Sequence, residues 1–106
     1  MTFSEFGRRI KSNGSGGTDH GAAAPLFVFG HYAQNDVIGK SPTIPLITNT
    51  GDNVPMQYDF RSIYASILQQ WFCVPESTLE NVMLKNFQNI NVIKKSAPCM
   101  STSPEI

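Results

Sequence analysis

The sequence predicts an α/β chain with a thin core of its own. Three observations carry that expectation. Residues 59–72 repeat apolar side chains with a helical period. Two short runs, 25–30 and 90–95, have the composition of strands. Between them lies a long stretch, 31–57, interrupted by Gly39, Pro42, Pro45, Gly51 and Pro55.

Taken in order, "TFSEFGR" at residues 2–8 reads as a strand end followed by a turn. Residues 11–24 are polar, then glycine-rich, then "AAA", and read as a loop with little regular structure. "PLFVFG", Pro25 to Gly30, is apolar, rich in β-formers and closed by glycine, and is expected to be a buried strand. Residues 31–57 offer only short extended pieces such as "IPLIT". A loop of that length inside a small domain points to a functional surface or to a larger body.

"DFRSIYASILQQWF" gives the strongest periodic signal. Phe60, Ile63, Tyr64, Ile67, Leu68, Trp71 and Phe72 fall at i, i+3, i+4, i+7 and i+8 spacings, which makes one wide apolar face. Arg61, Ser62, Gln69 and Gln70 fall on the other side. Asp59 precedes the helix, where a carboxylate favours the positive end of the dipole. "PESTLENVML" suits a second, short helix with Pro75 near its first turn. "INVIKK", 90–95, suits a last strand, and residues 96–106 form a polar tail expected to fray. The apolar face of the 59–72 helix is wider than these neighbours can cover. The segment therefore reads as built to dock on more protein, either by oligomerising or as a piece of a larger domain.

Composition bounds the function. The chain has 106 residues, a formal net charge of zero, 41% hydrophobic residues and 10% aromatics, which suits one globular domain rather than disorder. No basic stripe stands out, which argues against a nucleic-acid partner. No apolar run approaches the roughly 20 residues of a membrane span. The start, "MTFSEFGRRI", lacks the pattern of a signal peptide. Cys73 and Cys99 are the two cysteines, far apart and outside any CxxC pattern, which argues against structural zinc. They could be separate thiols or one disulfide in an oxidising compartment.

Four stretches carry candidate chemistry. In "TDHG", Asp19 and His20 are adjacent between flexible residues. A carboxylate oxygen and an imidazole nitrogen are a normal ligand pair for zinc and other divalent metals, though a catalytic zinc needs at least three protein ligands. The alternative is a loop in which Asp19 caps a turn and His20 is solvated. In "SEFGR", Glu5 and Arg8 can form a local ion pair, or Arg8 can bind a phosphate or sulfate with Glu5 in support. "NGSGG" could present backbone N–H groups to a phosphate, but it lacks the P-loop Gly-Lys-Ser/Thr, and flexibility is the simpler role. His31, just past the 25–30 run, is a further possible ligand or a solvated loop residue. No serine sits in G-x-S-x-G, so the chain shows no nucleophile.

The order and spacing of "TFSEFGRR", "NGSGGTDHG", "PLFVFG" and "VPMQYDFRSIYASILQQWF" resemble the C-terminal part of the domain-of-unknown-function family 1501, bacterial and often exported proteins similar to sulfatases and alkaline phosphatases. The resemblance covers roughly residues 2–95, within an expected domain of residues 1–95. It implies that the chain is the C-terminal portion of an alkaline-phosphatase-like α/β sandwich, incomplete here, with Met1 an internal methionine. In that superfamily a late Asp-His pair binds a catalytic metal, zinc, calcium or similar, and Asp19 and His20 match it. Glu5 and Arg8 would support the anion. The nucleophile and remaining carboxylate ligands would lie upstream. The resemblance thus implies a hydrolase of phosphate or sulfate esters whose small anionic substrate sits against the rest of the domain, in the periplasm or outside the cell. The alternative is an exported, non-enzymatic binding or scaffold protein of the same fold. A further possibility is an independent module that dimerises through the 59–72 helix.

Overall fold

The computed structural model describes residues 1–101. The chain folds as two units, one from Met1–Phe27 and Val37–Gln57, the other from Val28–Asp36 and the chain from Tyr58 onward.

The first unit is organised by a minimal hairpin. Strand β1, Gly7–Arg8, pairs antiparallel with β2, His20–Gly21, with Gly7 opposite Gly21 and Arg8 opposite His20. Two glycines permit this pairing. A Cβ on Gly7 would overlap the Ala23 carbonyl, and one on Gly21 would run into the backbone of Arg8 and Arg9. The strand end expected near residue 7 is therefore present. Its partner lies inside the stretch expected to be irregular, because a two-residue strand is too short to leave a periodic signal.

Residues 37–57 contain no helix or strand. They are fixed by hydrogen bonds between side chain and backbone. The Arg9 guanidinium donates to the carbonyls of His20 (3.1 Å) and Thr50 (3.3 Å), and the Ala22 N–H donates to Asn53 Oδ1 (3.0 Å). The Asp52 carboxylate closes its own turn by accepting from the Asn49 N–H at 2.8 Å. Leu46 and Ile47 in "IPLIT" are almost fully exposed.

The expected strand at 25–30 does not form. Leu26 and Val28 are half-buried and Phe27 and Phe29 exposed, so the alternation of a strand survives without a sheet. Its first half belongs to the first unit, where Phe27 exchanges hydrogen bonds with Thr2: the Thr2 N–H donates to the Phe27 carbonyl, and the Phe27 N–H to Thr2 Oγ1, both at 2.8 Å.

The second unit is helical. Helix α1, Phe60–Gln70, is capped by Asp59, whose carboxylate accepts from the Arg61 N–H at 2.9 Å. Helix α2, Glu76–Met83, begins after Pro75 and ends at Leu84 in the left-handed conformation. Both helices match their expected positions. Their packing does not. The side of α1 that is buried carries Ser62, Ala65, Ser66 and Gln70, whereas Phe60, Trp71 and Phe72 remain exposed.

The reason lies in residues 89–93. They overlap the run 90–95, expected to be a strand, which makes a single bridge, Ile93 with Ala33, and they lie against the polar stripe of α1. Gln70 replaces a strand partner. Its Nε2 donates to Asn89 Oδ1 and to the Ile90 carbonyl, both at 2.6 Å. Its Oε1 accepts from the N–H groups of Val92 (3.2 Å) and Ile93 (3.0 Å). Ser66 Oγ accepts from the Ile90 N–H at 2.8 Å and donates to the Ser62 carbonyl at 2.7 Å. An amide side chain has two donors and two acceptor sites, so Gln70 is fully used. Burying it costs little because nothing is left unpaired.

Ile90, Val92, Ile93 and Ala97 form the buried cluster, with Tyr32, Ile63, Ile67 and Met100 packed against it. Burial of each large aliphatic side chain contributes about 1.5–3 kcal/mol. Ala97 and Met100 join this core, so residues 96–100 are not a loose tail. Ala97 is fully buried, helix α3 spans Pro98–Ser101, and Cys99 forms a disulfide with Cys73 at a Cα–Cα distance of 5.2 Å. That resolves the choice between two thiols and a disulfide. The fraying expected beyond Ser101 falls outside the described residues. Cys73 itself sits at φ 58°, which turns the chain out of α1 and lets the Val74 N–H reach back to the Leu68 carbonyl at 3.0 Å.

Candidate functional site

The hairpin of the first unit gathers four of the residues singled out by the sequence. Pairing sets Arg8 directly across from His20, with Asp19 next to it and Glu5 just upstream. The Arg9 N–H donates to the Asp19 carbonyl at 3.0 Å, which continues the ladder by one residue and fixes the backbone at the Asp-His pair.

Each side chain has a defined setting. The His20 ring lies flat on Phe6, with centroids 3.5 Å apart and planes 16° from parallel. Phe6 thus fixes the imidazole plane while leaving the residue exposed. The Arg8 guanidinium also lies over Phe6, 5.2 Å from the ring centre, and donates to the Thr18 carbonyl at 2.7 Å. Glu5 is exposed, and the ion pair considered for Glu5 and Arg8 is not made. The Arg8 guanidinium instead turns toward Thr18, because β1–β2 pairing brings that carbonyl within reach.

Asp19 is held by Asn13. Asn13 Nδ2 donates to Asp19 Oδ1 at 3.0 Å, while Asn13 Oδ1 accepts from the N–H groups of Ser15 (2.9 Å) and Gly17 (3.1 Å). The Asn13 N–H donates to the Gly17 carbonyl at 2.7 Å. "NGSGG" is therefore an ordered turn built around one asparagine side chain, and not a slack tether. Two of its N–H groups serve Asn13 and are not offered outward to a phosphate.

As metal donors, the exposed Asp19 and His20 suit a divalent cation by type, carboxylate oxygen plus imidazole nitrogen. Among the described residues, no group of three or more His, Cys, Asp and Glu side chains is placed to hold a metal. The pair is half of a donor set. His31 lies in the second unit, exposed, with its ring edge-on to Tyr32 at 4.8 Å.

Phe6, Asn13 and Thr18, which position His20, Asp19 and Arg8, carried no functional weight in the sequence. The Asn-Gly-Ser order was a readable turn signal for Asn13; nothing in the sequence marked Phe6 as a stacking partner for a residue 14 positions on.

Neither known family models, curated proteins nor solved structures give a match to this chain. Among the described residues, no helix is long and apolar enough to cross a membrane.

Proposed function

We propose that this chain is the C-terminal part of an alkaline-phosphatase-like protein related to the domain-of-unknown-function family 1501, and that the whole protein hydrolyses phosphate or sulfate esters with a divalent metal. Asp19 and His20 supply two ligands. Arg8 and Glu5 stand beside the substrate anion. The nucleophile and the remaining ligands come from the rest of the domain.

The observation that carries this reading is the register of the hairpin, which pairs Arg8 with His20, the residue that follows Asp19. Metal ligands and an anion-binding cation at one end of a strand pair are what ester hydrolysis requires. The metal would act as a Lewis acid and lower the pKa of the attacking group. The chain's own residues orient the site. Phe6 holds the imidazole plane, Asn13 holds one carboxylate oxygen of Asp19, and Thr18 anchors Arg8. The Cys73–Cys99 disulfide supports export to an oxidising compartment.

A second reading, an exported binding or scaffold protein with a structural Asp-His pair, is favoured by the Asn13–Asp19 hydrogen bond, which gives Asp19 a role in the loop without a metal. Substituting Asp19→Ala and His20→Ala in the whole protein separates the two. Loss of metal and turnover with the fold retained supports the hydrolase. Unchanged metal content supports the scaffold.

A further inference from the structure

Asn13 is followed by Gly14, and no other asparagine in the chain precedes a glycine. Such a pair can close on itself. The backbone nitrogen of the glycine attacks the asparagine Cγ, and a five-membered succinimide forms as ammonia leaves. The usual obstacles are crowding at the attacking residue and the charge that develops on Oδ1.

Both are reduced here. Gly14 is exposed and carries no side chain, and the place a Cβ would occupy is open, so no bulk there crowds the attacking nitrogen. Asn13 Oδ1 already receives two backbone N–H groups, from Ser15 at 2.9 Å and Gly17 at 3.1 Å. These bonds strengthen as Oδ1 gains negative charge, which is the condition for lowering a barrier and not merely binding the ground state. The departing group, Nδ2, donates to Asp19 Oδ1 at 3.0 Å, which fixes the side chain in the loop.

We infer that Asn13 is a self-modifying site, where the folded loop promotes succinimide formation and deamidation. The N–Cγ bond forms as the Gly14 nitrogen loses its proton, and the Cγ–Nδ2 bond breaks as ammonia takes that proton up. Water then opens the ring to aspartate or isoaspartate. The net change is amide plus water to carboxylic acid plus ammonia. No metal, oxidant or second protein takes part. The product places a second carboxylate where Nδ2 had bonded Asp19, so the reaction replaces an attractive contact beside the Asp-His pair with a repulsive one.

The test compares rates in one chain. The purified protein is incubated at neutral pH, native and unfolded in guanidinium chloride, and the tryptic peptide that follows Lys11 is analysed by mass spectrometry for the amide-to-acid mass gain and for isoaspartate. The expected result is a native rate on the order of tenfold above the unfolded rate, since each oxyanion donor contributes strongly when held in place. Ser15→Pro, which deletes one donor N–H, should bring the native rate toward the unfolded one. A native rate equal to or below the unfolded rate overturns the inference, as does a Ser15→Pro rate equal to that of the native wild type.

Discussion

Gln70 Nε2 donates to the carbonyl of Ile90 at 2.6 Å, across 20 positions of sequence, in a buried setting. The same amide binds Asn89, Val92 and Ile93, so one side chain does for residues 89–93 what a neighbouring strand would otherwise do.

Gln70→Ala removes that partner and leaves the Ile93 N–H buried without an acceptor, while the Val92 N–H and the Ile90 carbonyl keep their bond to each other at 2.8 Å. An unsatisfied buried group costs about 1–3 kcal/mol, so the second unit should lose that much. The shift in guanidinium midpoint measures it. A change under about 1 kcal/mol would show that water replaces the amide.

Reduction of the Cys73–Cys99 disulfide should destabilise the second unit by about 3–4 kcal/mol, the loop-closure value for its 26-residue separation. Trp71 lies near one end of the bridge, beside Tyr32, so its fluorescence should report the loss. An unchanged unfolding midpoint under reductant would contradict the expectation.

Acid should loosen the start of α1. Hydrogen bonds from the Arg61 guanidinium, and then from its backbone N–H, hold the Asp59 carboxyl at about 2, below its ordinary 3.8. A depressed pKa means that the ionised form is favoured by folding. The cap's contribution is therefore full above about 3.8 and is lost as pH falls toward 2. Asp59→Asn keeps a capping oxygen but no charge, and should flatten the change in far-ultraviolet circular dichroism across that window. An identical acid profile in wild type and Asp59→Asn would rule the linkage out.

Gly7→Ala should abolish the β1–β2 pairing, because the added methyl collides with the Ala23 carbonyl. The amide of Arg9, bonded to the Asp19 carbonyl, should then lose its protection from hydrogen exchange. Gly17→Ala meets nothing within 4 Å and serves as the control. Equal protection in the two variants would refute the steric account.

The helices were legible because α1 and α2 carry a 3.6-residue period and recognisable starts at Asp59 and Pro75. The burial of α1 was not. Apolar periodicity treats Ser62 and Gln70 as outward residues, since it has no means of seeing a backbone segment that needs their hydrogen bonds. Residues 25–30 and 90–95 have strand composition, but composition does not state whether a ladder is present, and only Ile93 makes a bridge. The Cys73–Cys99 pairing depends on the turn at Cys73 and on α3, neither of which spacing reveals. At the candidate site, the adjacency of Asp19 and His20 was plain in the sequence. Their alignment with Arg8 was not, because it depends on a register set by Gly7 and Gly21.

The proposed hydrolase function rests on Asp19 and His20 holding metal in the whole protein. Metal analysis of that protein, purified as wild type and as the Asp19→Ala/His20→Ala variant, tests this most directly. The account predicts a bound divalent metal in the wild type and its loss from a variant that keeps the native circular dichroism. A folded variant with the same metal content as the wild type would contradict it.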